Sequence, residues 1–200
     1  MRLGVFGGTF DPPHLGHLIL AAEAYAQLGL ERVLWVLTPN PPHKEDQPVT
    51  PLTDRLDLLA AALDDDPSFE LSRVDVDRPA PHYAVDTLDL LRAQLPQARL
   101  VYLMGGDSLS DLPLWHRPTE FLRACDEIGV MLRPGHAMDL DVMDARLPGL
   151  RSRARLVRAP LLEISSSDLR RRIAQGQPYR YLLPEAVYQL ITSRRLYQEA

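Results

Sequence analysis

The sequence predicts a doubly wound α/β fold, a parallel sheet with helices on both faces and a small helical extension at its C-terminal side. Three observations predict it. Short apolar runs alternate with helical patterns along most of the 200 residues. The central runs are continuously apolar instead of alternating, as strands buried on both faces require. Glycine pairs directly follow two of the runs, at Gly7-Gly8 and Gly105-Gly106. Such loops would lie beyond the carboxyl ends of the strands, where open α/β sheets bind ligands.

Taken in order, the apolar run Arg2–Phe6 reads as a first strand, and Leu15–Leu28 has the spacing of a helix. Arg32–Leu37 is a second strand, followed by a helix over Leu52–Leu63. Phe69–Leu71 and Leu100–Met104 are strands separated by a helical pattern at Ala84–Leu95. Thr119–Ala124 reads as helix, Ile128–Leu132 as strand, Asp139–Arg146 as a further helix and Leu156–Val157 as the last strand. The tail differs: Ile164 to Asp168 precedes a helix Leu169–Ala174 ended by Gly176, and Pro184–Ser193 is a second helix with its proline in the first turn. One domain is expected, with an α/β core over 1–160 and a signature loop and helical tail over 161–200.

Composition narrows the function classes. With 46% hydrophobic and 24% charged residues the chain is an ordinary globular one. A net charge of −5 argues against a general nucleic-acid binder, but a small phosphorylated ligand needs only local cations. Residues 1–100 carry 8 basic and 15 acidic side chains, and residues 101–200 carry 14 and 12. The single cysteine, Cys125, cannot form an internal disulfide. With no apolar run near the roughly 18 residues of a membrane span, a reducing, cytoplasmic compartment is expected. Among 22 basic residues, Lys44 is the only lysine, and Asn40 is the only asparagine. Both fall in one proline-rich loop, which singles that loop out.

The segment Gly7-Gly8-Thr9-Phe10-Asp11-Pro12-Pro13-His14-Leu15-Gly16-His17 joins the first strand to the first helix. Glycines let the backbone approach a ligand, and the helix start offers unpaired N–H groups and a positive dipole end to an anion. No Gly-Lys-Ser/Thr closes the segment, and the spacing after Gly4 fails the dinucleotide fingerprint. His14 and His17 share one helical face but lack His-Glu-x-x-His spacing and a third ligand, so a metal site is disfavoured. Alone they would read as helix caps. At an anion-binding corner they point to phosphate chemistry.

This segment resembles the H-x-G-H signature of the nucleotidyltransferases, and Ile164-Ser165-Ser166-Ser167-Asp168-Leu169-Arg170 is similar to that superfamily's second signature, Ile-Ser-x-Thr-x-x-Arg, with Ser167 in place of threonine. Pro41-Pro42-His43-Lys44, Tyr83 to Leu88, Gly105-Gly106-Asp107-Ser108-Leu109, Leu114-Trp115-His116, Arg133-Pro134-Gly135 and Leu182-Leu183-Pro184 extend the resemblance, specifically to the bacterial nicotinate-nucleotide adenylyltransferase family. Gly106 and Ala84 depart from that family's pattern. The resemblance implies a Rossmann-like sheet and transfer of the adenylyl group of ATP to nicotinate mononucleotide, with Mg²⁺, releasing pyrophosphate.

The attacking phosphate oxygen is already ionised at pH 7, so positioning and charge stabilisation must supply catalysis. By resemblance, His17 stabilises the α-phosphate, His14 touches the same phosphates, and Arg170 and Arg133 hold the departing pyrophosphate. Gly7, Gly8, Thr9, Phe10, Gly105, Ile164, Ser165, Ser166 and Ser167 complete the expected ATP site. Asp107 meets a ribose hydroxyl or a hydrated Mg²⁺, or else caps a short helix. The same resemblance implies that Trp115 stacks on the pyridine ring, with His116 and Thr87 beside the carboxylate; alone, Trp115 would be core packing. Asn40, His43 and Lys44 are assigned to the acceptor, with a solvated loop tip as the alternative for Lys44. The rival readings are the same chemistry on nicotinamide mononucleotide or phosphopantetheine, and a nucleotide-binding regulator without activity. A monomer and a homo-oligomer are both open.

Overall fold

Strand order reverses once in the sheet, between β1 and β4, and that reversal places the site. The computed structural model describes residues 1–40, 49–132, 139–160 and 162–198. The strands are β1 (Arg2–Gly8), β2 (Arg32–Leu37), β3 (Phe69–Ser72), β4 (Arg99–Gly105), β5 (Glu127–Leu132) and β6 (Ala154–Arg158), in the order β3-β2-β1-β4-β5-β6. Every neighbouring pair is parallel. β1 pairs with β4 from Arg2↔Arg99 to Phe6↔Leu103. From β1 the chain winds one way through β2 and β3, then returns through β4 to β6. The crevice between β1 and β4 is a topological switch point.

The helices are α1 (Leu15–Gln27), α2 (Leu52–Leu63), α3 (Ala84–Gln94), α4 (Gly106–Asp111), α5 (Pro118–Ala124), α6 (Leu140–Arg146), α7 (Leu150–Arg153), α8 (Ser166–Ala174) and α9 (Glu185–Arg194). None of the described helices is long and apolar enough to cross a membrane. The apolar strands divide between two cores by side-chain alternation. Val33, Trp35 and Leu37 join Ala21 and Ala24 of α1 and Leu59 and Leu63 of α2 on one face. Leu34 and Val36 join Val85, Leu88 and Leu91 of α3 and Phe121 of α5 on the other. Covering both faces is why β2 has no polar alternation. Each fully buried leucine contributes about 2 kcal/mol.

The tail has its own small core. Leu58 of α2 meets Leu169 and Ile173 of α8 and Val187 and Ile191 of α9. Arg194 adds ion pairs to Asp54 (2.8 Å) and Asp57 (2.7 Å). α8 is thereby held against α2 and brought to the first loop.

The structure corrects three expectations. Gly7 and Gly8 are not a loop: they are the last residues of β1, paired with Val36 and Leu37. The helix α4 directly follows β4, and its cap is Gly105, with Asp107 in the first turn instead of at the cap. The four-residue helix α7 was not expected, because so short a segment carries no readable period.

Candidate active site

The turn between β1 and α1 is built around a buried ring. Phe10 takes a positive φ of 47°. That backbone sends its side chain down among Phe6 (ring centroids 5.6 Å apart) and Trp35 (5.2 Å). A Cβ on Gly8 would stand 2.8 Å from Phe10 Cζ, so only glycine leaves room for the ring. Phe10 is only 2% exposed, and it supports His17 from below with ring centroids 5.3 Å apart. It is a floor under the site, and its backbone is the part left for a ligand.

Asp11 is buried and fixes the turn. It accepts from the Thr50 N–H at 3.2 Å and the Tyr197 hydroxyl at 2.8 Å. His14 then caps α1 in extended backbone. Its N–H donates to His17 Nδ1 at 3.2 Å, which assigns the neutral His17 tautomer with its proton on Nε2. The two imidazoles stack, centroids 3.6 Å apart. Gly16 permits this, since a Cβ there would lie 3.0 Å from His14 Nδ1 and 3.7 Å from Ile164 Cβ.

Burial pushes the His14 pKa down to about 4 from 6.5, so its ring is neutral at pH 7. The unfolded chain therefore takes up this proton first as pH falls. Stability is complete above about pH 6.5 and drains away as pH drops toward 4, by about 3 kcal/mol in all. Denaturant midpoints between pH 7 and 4.5 should show the loss, and His14→Gln should flatten it. An unchanged slope in that variant would remove His14 as the cause.

The second signature closes on the first. Ser165 caps α8, its Oγ accepting from the Asp168 N–H at 3.1 Å. Ser166 donates to the Pro12 carbonyl at 2.9 Å, and Arg170 Nη1 donates to the Asp11 carbonyl at 2.7 Å. Arg170 keeps 31% of its side chain exposed beside the histidine pair's loop. Ser167 is exposed on the first turn of α8.

A cavity of about 740 Å³ opens at the switch point. Gly7, Gly8, Thr9, Gly105, Thr87, Trp115 and His116 all line it. Trp115 meets Tyr102 and Phe121 edge-on, at 6.1 and 5.4 Å between centroids, and His116 stacks on Tyr83 at 4.0 Å. Thr87 is more committed than expected: its hydroxyl donates a hydrogen bond to Asp75 Oδ1 at 2.8 Å. Burial, then the charge of Asp75, pushes the Tyr102 phenol well above its usual range.

His14, His17 and Arg170 do not line this cavity. His17 belongs with Phe6 and Phe10 on the α1 face, whereas Tyr102 and Trp115 pack with the core under α3. Two compartments thus meet across Gly7, Gly8 and Thr9. Asn40 is exposed just past β2, and Asp107 is exposed at the start of α4. His43, Lys44 and Arg133 lie outside the described residues. Among those residues, no three His, Cys, Asp or Glu side chains converge to hold a metal ion.

Sequence reasoning missed Arg55. Only 2% exposed, it donates to four carbonyls: Thr9 (3.2 Å), Thr38 (2.9 Å), Pro39 (2.7 Å) and Thr50 (2.9 Å). It ties the β1 and β2 loops together. An arginine on the apolar face of an amphipathic helix was the available signal.

The matching family profile, described as Cytidylyltransferase-like, spans residues 5–172. A protein of Thermomicrobium roseum named "Probable nicotinate-nucleotide adenylyltransferase" is 49% identical over 98% of this chain and 92% of its own length. One of the same name from Dehalococcoides mccartyi is 38% identical, covering 98% and 97%. The solved Plasmodium falciparum nicotinic acid mononucleotide adenylyltransferase complexed with NaAD has a TM-score of 0.80 at 16% identity. It covers 100% of this chain and 98% of that one, a likeness of fold. With both signatures in contact at a switch point and relatives matching end to end, the chain belongs to the Cytidylyltransferase-like family, among its nicotinate-nucleotide adenylyltransferases.

Proposed function

We propose that this chain transfers the adenylyl group of ATP to the phosphate of nicotinate mononucleotide, forming nicotinate adenine dinucleotide and pyrophosphate, a step of NAD biosynthesis. The observation that carries the reading is the meeting of two compartments at the glycine end of β1. One is a cavity walled by aromatic rings, and the other is a corner of two histidines and an arginine. An acceptor with an aromatic base fills the first, and the ATP phosphates fill the second.

A phosphate oxygen of the acceptor attacks the α-phosphorus, and the bond to the β-phosphate breaks. The His17 Nε2–H donates to the α-phosphate as charge grows there, and neutral His14 holds the ring it stacks on. Arg170 and Arg133 stabilise the pyrophosphate that leaves. The α8 N-terminus offers N–H groups to the same phosphates, with hydroxyl donors from Ser165 and Ser167, while Ser166 anchors the turn through the Pro12 carbonyl. Magnesium enters as part of the substrate, carried on the ATP phosphates, with Asp107 reaching it through water. Trp115 stacks on the pyridine ring with His116 beside its carboxylate, and Asn40, His43 and Lys44 hold the acceptor's phosphate end.

The test is pyrophosphate release from ATP and Mg²⁺ with nicotinate mononucleotide, nicotinamide mononucleotide or phosphopantetheine supplied separately. The acid mononucleotide should be preferred. A clear preference for either of the others would overturn the acceptor, and ATP binding without release from any would overturn the activity.

A further inference from the structure

The cavity wall carries a negative charge that a carboxylate ligand should not tolerate. Asp75 lines the cavity with 3% of its surface exposed. Its charge reaches the cavity, since it adds to burial in keeping Tyr102 protonated. Asp111 also lines the cavity, but it is exposed and water screens it. Asp75 is screened by something else. Arg78 Nε and Nη2 each lie 2.9 Å from Asp75 Oδ1, and the arginine is itself only 14% exposed.

Arg78 cannot swing away. Its Nη1 donates to the Pro81 carbonyl at 2.7 Å and its Nη2 points at the Tyr83 carbonyl at 3.4 Å. Thr87 donates to the same carboxylate at 2.8 Å. A carboxylate held by the Thr87 hydroxyl and a fixed guanidinium is a neutral unit, whereas the same carboxylate alone would repel an anion in a site of low dielectric.

We propose that Arg78 keeps the cavity wall neutral by cancelling the charge of Asp75, so that a ring carboxylate is admitted and the acid-over-amide preference is preserved. This rests on the acceptor being a pyridine mononucleotide. Removing the arginine exposes a carboxylate to the ligand's carboxylate; removing the aspartate leaves an uncompensated cation beside it. The two variants therefore push selectivity in opposite directions, which a mere packing defect would not do.

The experiment measures kcat/KM for nicotinate and nicotinamide mononucleotides in the parent, Arg78→Gln, Asp75→Asn, the double variant and Arg78→Lys. The acid/amide ratio should fall about tenfold in Arg78→Gln and rise severalfold in Asp75→Asn. It should return to within about threefold of the parent in the double variant and in Arg78→Lys, whose wall charges again balance. Ratios within twofold of the parent in both single variants, or moving the same way, would overturn the proposal. If Arg78→Gln does not fold, the rise in Asp75→Asn decides alone, and its absence refutes the pair's role. A parent inactive on both mononucleotides would instead refute the acceptor assignment, a separate result visible before any variant is made.

Discussion

His17→Ala is expected to lower turnover by about 10²- to 10³-fold, the loss seen when one charge-stabilising donor is removed from a transition state. The basis is the ring's fixed orientation. His17 Nδ1 accepts from the His14 N–H, Phe10 lies beneath the ring, and His14 stacks against it. Three constraints hold one Nε2–H in one direction. Because that hydrogen bond strengthens as charge develops, kcat should fall more than KM for ATP rises. His17→Asn offers a donor on a shorter arm and should recover only part of the loss. Steady-state kinetics with saturating acceptor check this, and His17→Ala activity within tenfold of the parent would remove the residue from the chemistry.

The second large effect belongs to stability. Arg55→Leu should cost about 4 kcal/mol, because it strands carbonyls that a buried guanidinium now satisfies. The four acceptors come from Thr9 beside the cavity, from Thr38 and Pro39 after β2, and from Thr50 before α2. A lysine has three donors and no planar fork, so Arg55→Lys should recover less than half of the loss. Urea unfolding of the three proteins gives the comparison. A loss under about 1 kcal/mol for the leucine variant would mean that water replaces the guanidinium without difficulty.

The sheet was largely legible because its strands are buried on both faces, and such strands announce themselves as unbroken apolar runs. The glycine pair at the end of β1 was misread for a physical reason. Glycine disfavours strands on its own account, yet here the ladder to Val36 and Leu37 continues through it so that Phe10 can fold back beneath. The site was legible where a function needs contiguous residues, as in the two signatures. It was opaque where a side chain serves partners that only the fold supplies. Asp75 accepts a hydrogen bond from Thr87, 12 residues on, and Tyr197 bonds Asp11 from 186 residues away. No local pattern encodes either. Thr87 is a case in point: its place near a ligand carboxylate is expected from the motif, whereas its bond to Asp75 is set by the fold.

The bonds from Arg170 to Asp11 and from Tyr197 to Asp11 span 159 and 186 residues. Closing such loops is entropically costly, and bonds of this span form only once nearly the whole chain is present. The cavity is assembled from residues no later than His116, all of them made before β6. The phosphate corner waits for α8 and α9. On the proposed assignments, the residues that line the acceptor cavity are synthesised first, and the corner expected to carry adenylyl transfer is complete only once the last helices are made.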